Sequence, residues 1–211
     1  MERRYASEAP QATRNSGGGV GTVISGYGAI YYKAHVSGSE YLLWDDAASR
    51  GVERIARGAL DSAVKRSADV VALFNHDANL VLGRTTAGTL KLTLDSTGLR
   101  YEIQPDDTTV ARDVLRHLAR GDIKGSSFAF IIDEDGESWS QETMVDGRKC
   151  FIRTLTSLDV LDVSCVTRPA YTGAPSGLSM PRSGPPLSKD VEQHIAECEK
   201  MIEQIDLIMS K

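Results

Sequence analysis

The sequence predicts an α+β domain, a barrel or sandwich of short strands carrying at least two helices. Three observations predict it. β-Branched and aromatic runs punctuated by glycine recur between residues 20 and 166, apolar residues take helical spacing in two stretches, and five of the seven prolines gather late in the chain. The 211 residues are 41% hydrophobic and 25% charged, the make-up of a folded globular chain rather than a disordered one. Twenty-four basic and twenty-nine acidic side chains leave a net charge of −5, without the basic excess that contact with nucleic acid calls for. No apolar run approaches the roughly 18 residues that cross a bilayer. The first residues lack the hydrophobic segment of a secretory signal. Neither nucleic acid nor membrane is therefore an expected partner.

Taken in order, residues 1–19 end in Gly17-Gly18-Gly19 and read as a flexible arm. A domain of residues 20–171 follows. It opens with VGTVISGYGAIYYK, from Val20 to Lys33, a strand with glycine bulges. Val52, Ile55, Ala56, Ala59 and Ala63 have helical spacing and predict a short amphipathic helix over 51–64. Val70 to Asn75 is a compact strand. Leu80 to Arg84, Thr89 to Leu94 and Leu99 to Gln104 form a meander broken at Ala87-Gly88 and Ser96-Thr97-Gly98. After Pro105 comes the clearest helix, with Asp106 and Asp107 as N-terminal caps, Val110, Val114, Leu115 and Leu118 as its stripe, and Gly121 as its stop. Strands return at Ser126 to Ile132 and at Arg153 to Val166. The Pro/Gly/Ser composition of 172–187 is that of a linker. Beyond it, in 188–211, Val191, Ile195, Cys198, Ile202, Ile205 and Met209 make a heptad seam on an acidic amphipathic helix, which suits self-association or docking.

Few residues could carry chemistry. Cys150, Cys165 and Cys198 form no CxxC pair, so they read as reduced thiols, with neither a metal site nor a disulfide framework. Of four histidines, His117 and His194 lie on predicted helices and read as structural or solvated. His76 follows the apolar run VALFN at a strand end, where rigid scaffolds present side chains to a substrate. In Gly125-Ser126-Ser127-Phe128-Ala129-Phe130, alternation puts Ser126 on the face of Phe128 and Phe130 and Ser127 on the other. If one serine meets a substrate, alternation favours Ser127. Asp159 and Asp162 stand in a run apolar enough to be buried, and a buried carboxylate needs a partner such as a histidine N–H. Alternation does not choose between them.

Phe74-Asn75-His76-Asp77 with Leu82-Gly83-Arg84-Thr85 resembles the histidine motif of the tailed-phage prohead (capsid maturation) proteases. Gly88-Thr89-Leu90, Asp95, Gly98-Leu99, Pro105-Asp106-Asp107-Thr108, Arg120-Gly121-Asp122-Ile123, Gly125 to Phe130 and Asp162 to Tyr171 continue the pattern in order, over about residues 20–172. The resemblance implies a serine endopeptidase with a fold similar to the herpesvirus assemblin proteases, a closed β-barrel surrounded by helices. It implies His76 as general base, Ser127 as nucleophile, and Asp162 as third member where the family often has glutamate. The family's serine motif commonly reads Gly-Met-Ser-Phe, whereas here Ser126 precedes Ser127. By analogy with the herpesvirus enzymes, the backbone around Thr167 and Arg168 is the candidate oxyanion hole. No metal or organic cofactor is implied. The implied partners are the major capsid protein with its scaffold segment and a further copy of the chain. The implied setting is the prohead in the host bacterial cytoplasm, where the enzyme also cleaves itself. The alternative of a different class is a catalytically silent scaffold protein on the same fold. A small-molecule hydrolase is disfavoured because no GxSxG elbow is present.

Overall fold

A computed structural model describes residues 1–6, 9–14, 21–65 and 69–168. In chain order the strands are β1 (Glu2–Ala6), β2 (Gln11–Arg14), β3 (Thr22–Ile30), β4 (Glu40–Asp45), β5 (Ser49–Ile55), β6 (Val71–Phe74) and β7 (Asp77–Arg84). They continue with β8 (Leu90–Leu94), β9 (Gly98–Ile103), β10 (Gly125–Ile132), β11 (Glu137–Thr143), β12 (Lys149–Leu155) and β13 (Leu158–Val166). Two helices are described, α1 (Asp61–Lys65) and α2 (Thr109–Arg120).

The strands make three sheets, ordered β1-β10-β13-β6-β7, β11-β12-β5-β4 and β2-β3-β9-β8. All neighbours are antiparallel except β13 with β6 and β12 with β5. This corrects the expected closed β-barrel surrounded by helices. Among the described residues the fold is mostly β-sheet, none of the sheets closes into a barrel, and of the two helices only α2 exceeds five residues.

The helix expected over 51–64 is also corrected. Residues 49–55 are β5, held between β4 and β12, and helix is confined to α1. A central strand covered on both faces buries neighbours in sequence, here Val52 with Glu53, so alternation vanishes and a helical spacing arises by coincidence. The flexible arm is a third correction. β1 pairs with β10 and β2 with β3, and Glu2 and Arg4 of β1 are buried as ion pairs, although the Gly17-Gly18-Gly19 run suggested an arm.

The meander is realised in β8 and β9, an antiparallel pair, while β7 joins β6 in another sheet. α2 forms as predicted, with its cap moved to Thr108, whose Oγ1 accepts the Ala111 N–H at 3.1 Å. Gly121 closes it in the left-handed conformation at φ 76°, a geometry that costs glycine little. The core gathers Ile24, Leu99, Tyr101, Phe128, Phe130 and Val163 between the sheets. The predicted linker 172–187 and heptad helix 188–211 lie outside the described residues.

Candidate active site

β6 and β7 are joined by a two-residue loop, Asn75-His76, with Phe74 opposite Asp77. Both loop residues have positive φ, 54° and 57°, as a type I′ hairpin turn demands. Asparagine enters this region readily. Histidine does so at a cost, and such strain persists where surrounding bonds impose it. Here the Asn75 N–H donates to the Cys165 carbonyl at 3.0 Å and the His76 N–H to Ser164 Oγ at 3.2 Å. The Asn75 Oδ1 accepts the Thr167 N–H at 3.0 Å. The turn is thereby tied to the end of β13, and the imidazole is held over the sheet.

The register then delivers its two partners. Ser127 lies opposite Ser164, and Ala129 opposite Asp162, on the paired strands β10 and β13. His76 Nδ1 is 2.6 Å from Asp162 Oδ1, and Nε2 is 2.5 Å from Ser127 Oγ. The aspartate, though one methylene shorter than glutamate, spans the gap. The imidazole and the carboxylate are 3% and 10% exposed, so their hydrogen bond is shielded from competing water. Ser164 Oγ donates to Asp162 Oδ1 at 3.0 Å. Its hydroxyl thus links the carboxylate to the His76 backbone.

The remaining candidates separate clearly. Ser126 faces the interior, where its Oγ is 2.7 Å from the Tyr101 hydroxyl. Burial pushes the Tyr101 phenol well above its ordinary pKa, so it stays protonated. Asp159 pairs with Ile131, away from His76. Thr167 is beside the site, but its amide is already donated to Asn75, and Arg168 next to it is exposed. Burial lifts the Cys165 thiol to about 12, which removes it as a nucleophile. Among the described residues no cluster of three His, Cys, Asp or Glu side chains could hold a metal ion.

Sequence reasoning missed Ser164, which carries no signal beyond its i+2 spacing from Asp162. It also missed β1, which lies across Ser127. Ser127 is fully buried, its Oγ donates to the Arg4 carbonyl at 2.7 Å, and the Tyr5 ring meets the His76 ring edge-on at 6.1 Å.

Residues 11–180 match the family model described as caudovirus prohead serine protease. No curated protein matches the chain. Among solved structures, the bacteriophage T4 capsid assembly protease gp21 aligns at 12% identity and a TM-score of 0.36, over 76% of this chain and 99% of that one.

Proposed function

The chain belongs to the caudovirus prohead serine protease family, and from that premise we propose that it is an endopeptidase that cuts the scaffold segments of capsid proteins, and itself, within the assembling prohead. The observation that carries this reading is a single imidazole bonded to Asp162 through one nitrogen and to Ser127 through the other.

A serine hydroxyl is a poor nucleophile at neutral pH until a base takes its proton. His76 Nε2 stands 2.5 Å from Ser127 Oγ, takes that proton once the hydroxyl turns from the Arg4 carbonyl toward it, and later returns it to the leaving amine. Asp162 keeps the Nδ1 proton in place and stabilises the imidazolium that forms. Attack by Oγ on the scissile carbonyl carbon gives a tetrahedral oxyanion. Collapse then forms the acyl-enzyme and expels the amine, and a water activated by the same histidine releases the acid. With the Thr167 amide engaged by Asn75, the Arg168 amide is the oxyanion donor we favour. One such donor is worth roughly 3–4 kcal/mol in the transition state. The major capsid protein with its scaffold segment is the proposed substrate, the host cytoplasm inside the prohead the proposed location, and the heptad seam of 188–211 the proposed element of self-association.

The test is prolonged incubation of the full chain with a fluorophosphonate, which traps an activated serine, followed by peptide mapping. The adduct is expected on Ser127 and is expected to vanish in His76→Ala. An adduct on Ser126, or one of equal yield without His76, would overturn the reading.

A further inference from the structure

Ser164 touches both partners of the Nδ1 bond and takes no part in the proton transfer described above. It stands two residues beyond Asp162 on β13, so their side chains share a face, and it lies opposite Ser127 across the ladder to β10. The residue is 1% exposed, and a hydroxyl so buried needs partners. Its Oγ donates to Asp162 Oδ1 at 3.0 Å, accepts the His76 backbone N–H at 3.2 Å, and stands 3.2 Å from His76 Nδ1.

A hydroxyl has one proton to give, and here the carboxylate takes it. What Ser164 turns toward the ring is then a lone pair. Asp162 Oδ1, 2.6 Å from the same nitrogen, is an acceptor as well. Two acceptors facing Nδ1 require the proton to be on it, which leaves the lone pair of Nε2 for the Ser127 hydroxyl. The opposite tautomer would set a bare nitrogen against a carboxylate oxygen. A second consequence is rotational. The carboxylate torsion of aspartate is broad and nearly two-fold, so one bond to Nδ1 does not fix its plane. A second bond to the same oxygen, from a hydroxyl on the same strand, does. A third consequence is at the backbone. His76 has φ 57°, in the left-handed region, and its N–H is held there by Ser164 Oγ.

We propose that Ser164 is a positioning residue of the hydrolytic site, its one hydroxyl fixing both the Nδ1–H tautomer of His76 and the plane of the Asp162 carboxylate. The proposal rests on the protease reading above and adds to it a residue that acts through its neighbours, chiefly through Asp162. Loss of the hydroxyl therefore slows the chemical step without weakening the encounter with whatever Ser127 attacks.

The test measures fluorophosphonate labelling of Ser127 against probe concentration in the full chain, in Ser164→Ala, in Asp162→Ala, in the double variant and in His76→Ala. Thermal melting establishes that each folds. A hydrogen bond to a charged group is matched by roughly tenfold or more in rate, so Ser164→Ala is expected to lower the maximal labelling rate by about that factor. The half-saturating probe concentration is expected to stay unchanged, because the hydroxyl does not meet the probe. Adding Ser164→Ala to Asp162→Ala is expected to cost far less than Ser164→Ala does alone, since groups that act as a unit are not additive. Should Ser164→Ala fail to fold, Ser164→Cys, close in size but only a weak donor, carries the same readouts. A folded variant that labels as fast as the full chain, a loss confined to the half-saturating concentration, or a loss that repeats in full without Asp162 overturns the inference and leaves the protease reading standing. Labelling undiminished in both Asp162→Ala and His76→Ala, or a label on a serine other than Ser127, overturns both.

Discussion

Two adjacent serines stand on opposite faces of β10, and the pleat is what separates them. Ser127 faces His76, while Ser126 faces the buried phenol of Tyr101. Ser126→Ala would leave that hydroxyl with only the Cys165 sulfur, 4.0 Å away. An orphaned buried hydroxyl costs about 1–3 kcal/mol. Urea unfolding should therefore show Ser126→Ala destabilised by that amount while peptide cleavage persists; a variant as stable as the parent but inactive would reverse the two roles. That Ser127 and Ser126 face opposite ways was legible because alternation holds along the start of β10. The choice of Asp162 over Asp159 was not, because the ladder shifts register between Ala129 and Phe130, opposite Asp162 and Val160, and parity cannot be carried across a bulge. His76 was legible as a strand end. The positive φ that turns it toward the sheet was not, since histidine stands where a turn of this type most often has glycine.

At the scale of elements, the β6–β7 hairpin must hold His76 steady, and it is pinned at its open end as well as at its turn. Asp69, two residues before β6, accepts Arg84 Nε at 2.7 Å from the end of β7 and Thr86 Oγ1 at 2.9 Å. Arg84, with help from Thr86, lowers the Asp69 carboxyl from 3.8 to about 2. A carboxyl depressed in the folded state stabilises the fold above its ordinary pKa and loses that contribution as pH falls through the folded value. NMR titration of the Asp69 carboxyl carbon should thus give a midpoint of about 2, and one near 3.8 would mean the clamp does not form in solution. Elements were read well where local rules dominate. α2 and its Gly121 stop follow from spacing and capping, with the cap displaced only from Asp106 or Asp107 to Thr108. β5 was misread because burial on both faces removes the alternation that marks a strand, and β4 and the polar β11 carried too weak a pattern to be noticed.

Across the whole molecule, periodicity marks which residues are strands but not which strands pair. The closed barrel came from a family likeness, and the three separate sheets correct it. What links two of those sheets is a buried ion network joining Glu2 and Arg4 of β1 to Glu53 of β5, Glu137 of β11 and Arg153 of β12. Burial works to raise the Glu2 carboxyl, yet Arg153 and Arg4 outweigh it and hold it below its ordinary pKa. Burial wins at Glu53, which is pushed up against the pull of the same arginines. No sequence rule pairs residues a hundred and more positions apart, which is why β1 read as an arm. The most direct test of the account as a whole is cleavage of the major capsid protein during co-expression, followed by N-terminal sequencing of the products. The account predicts scaffold release with the parent chain and with Ser126→Ala, and intact capsid protein with Ser127→Ala. Scaffold release that survives Ser127→Ala would contradict it.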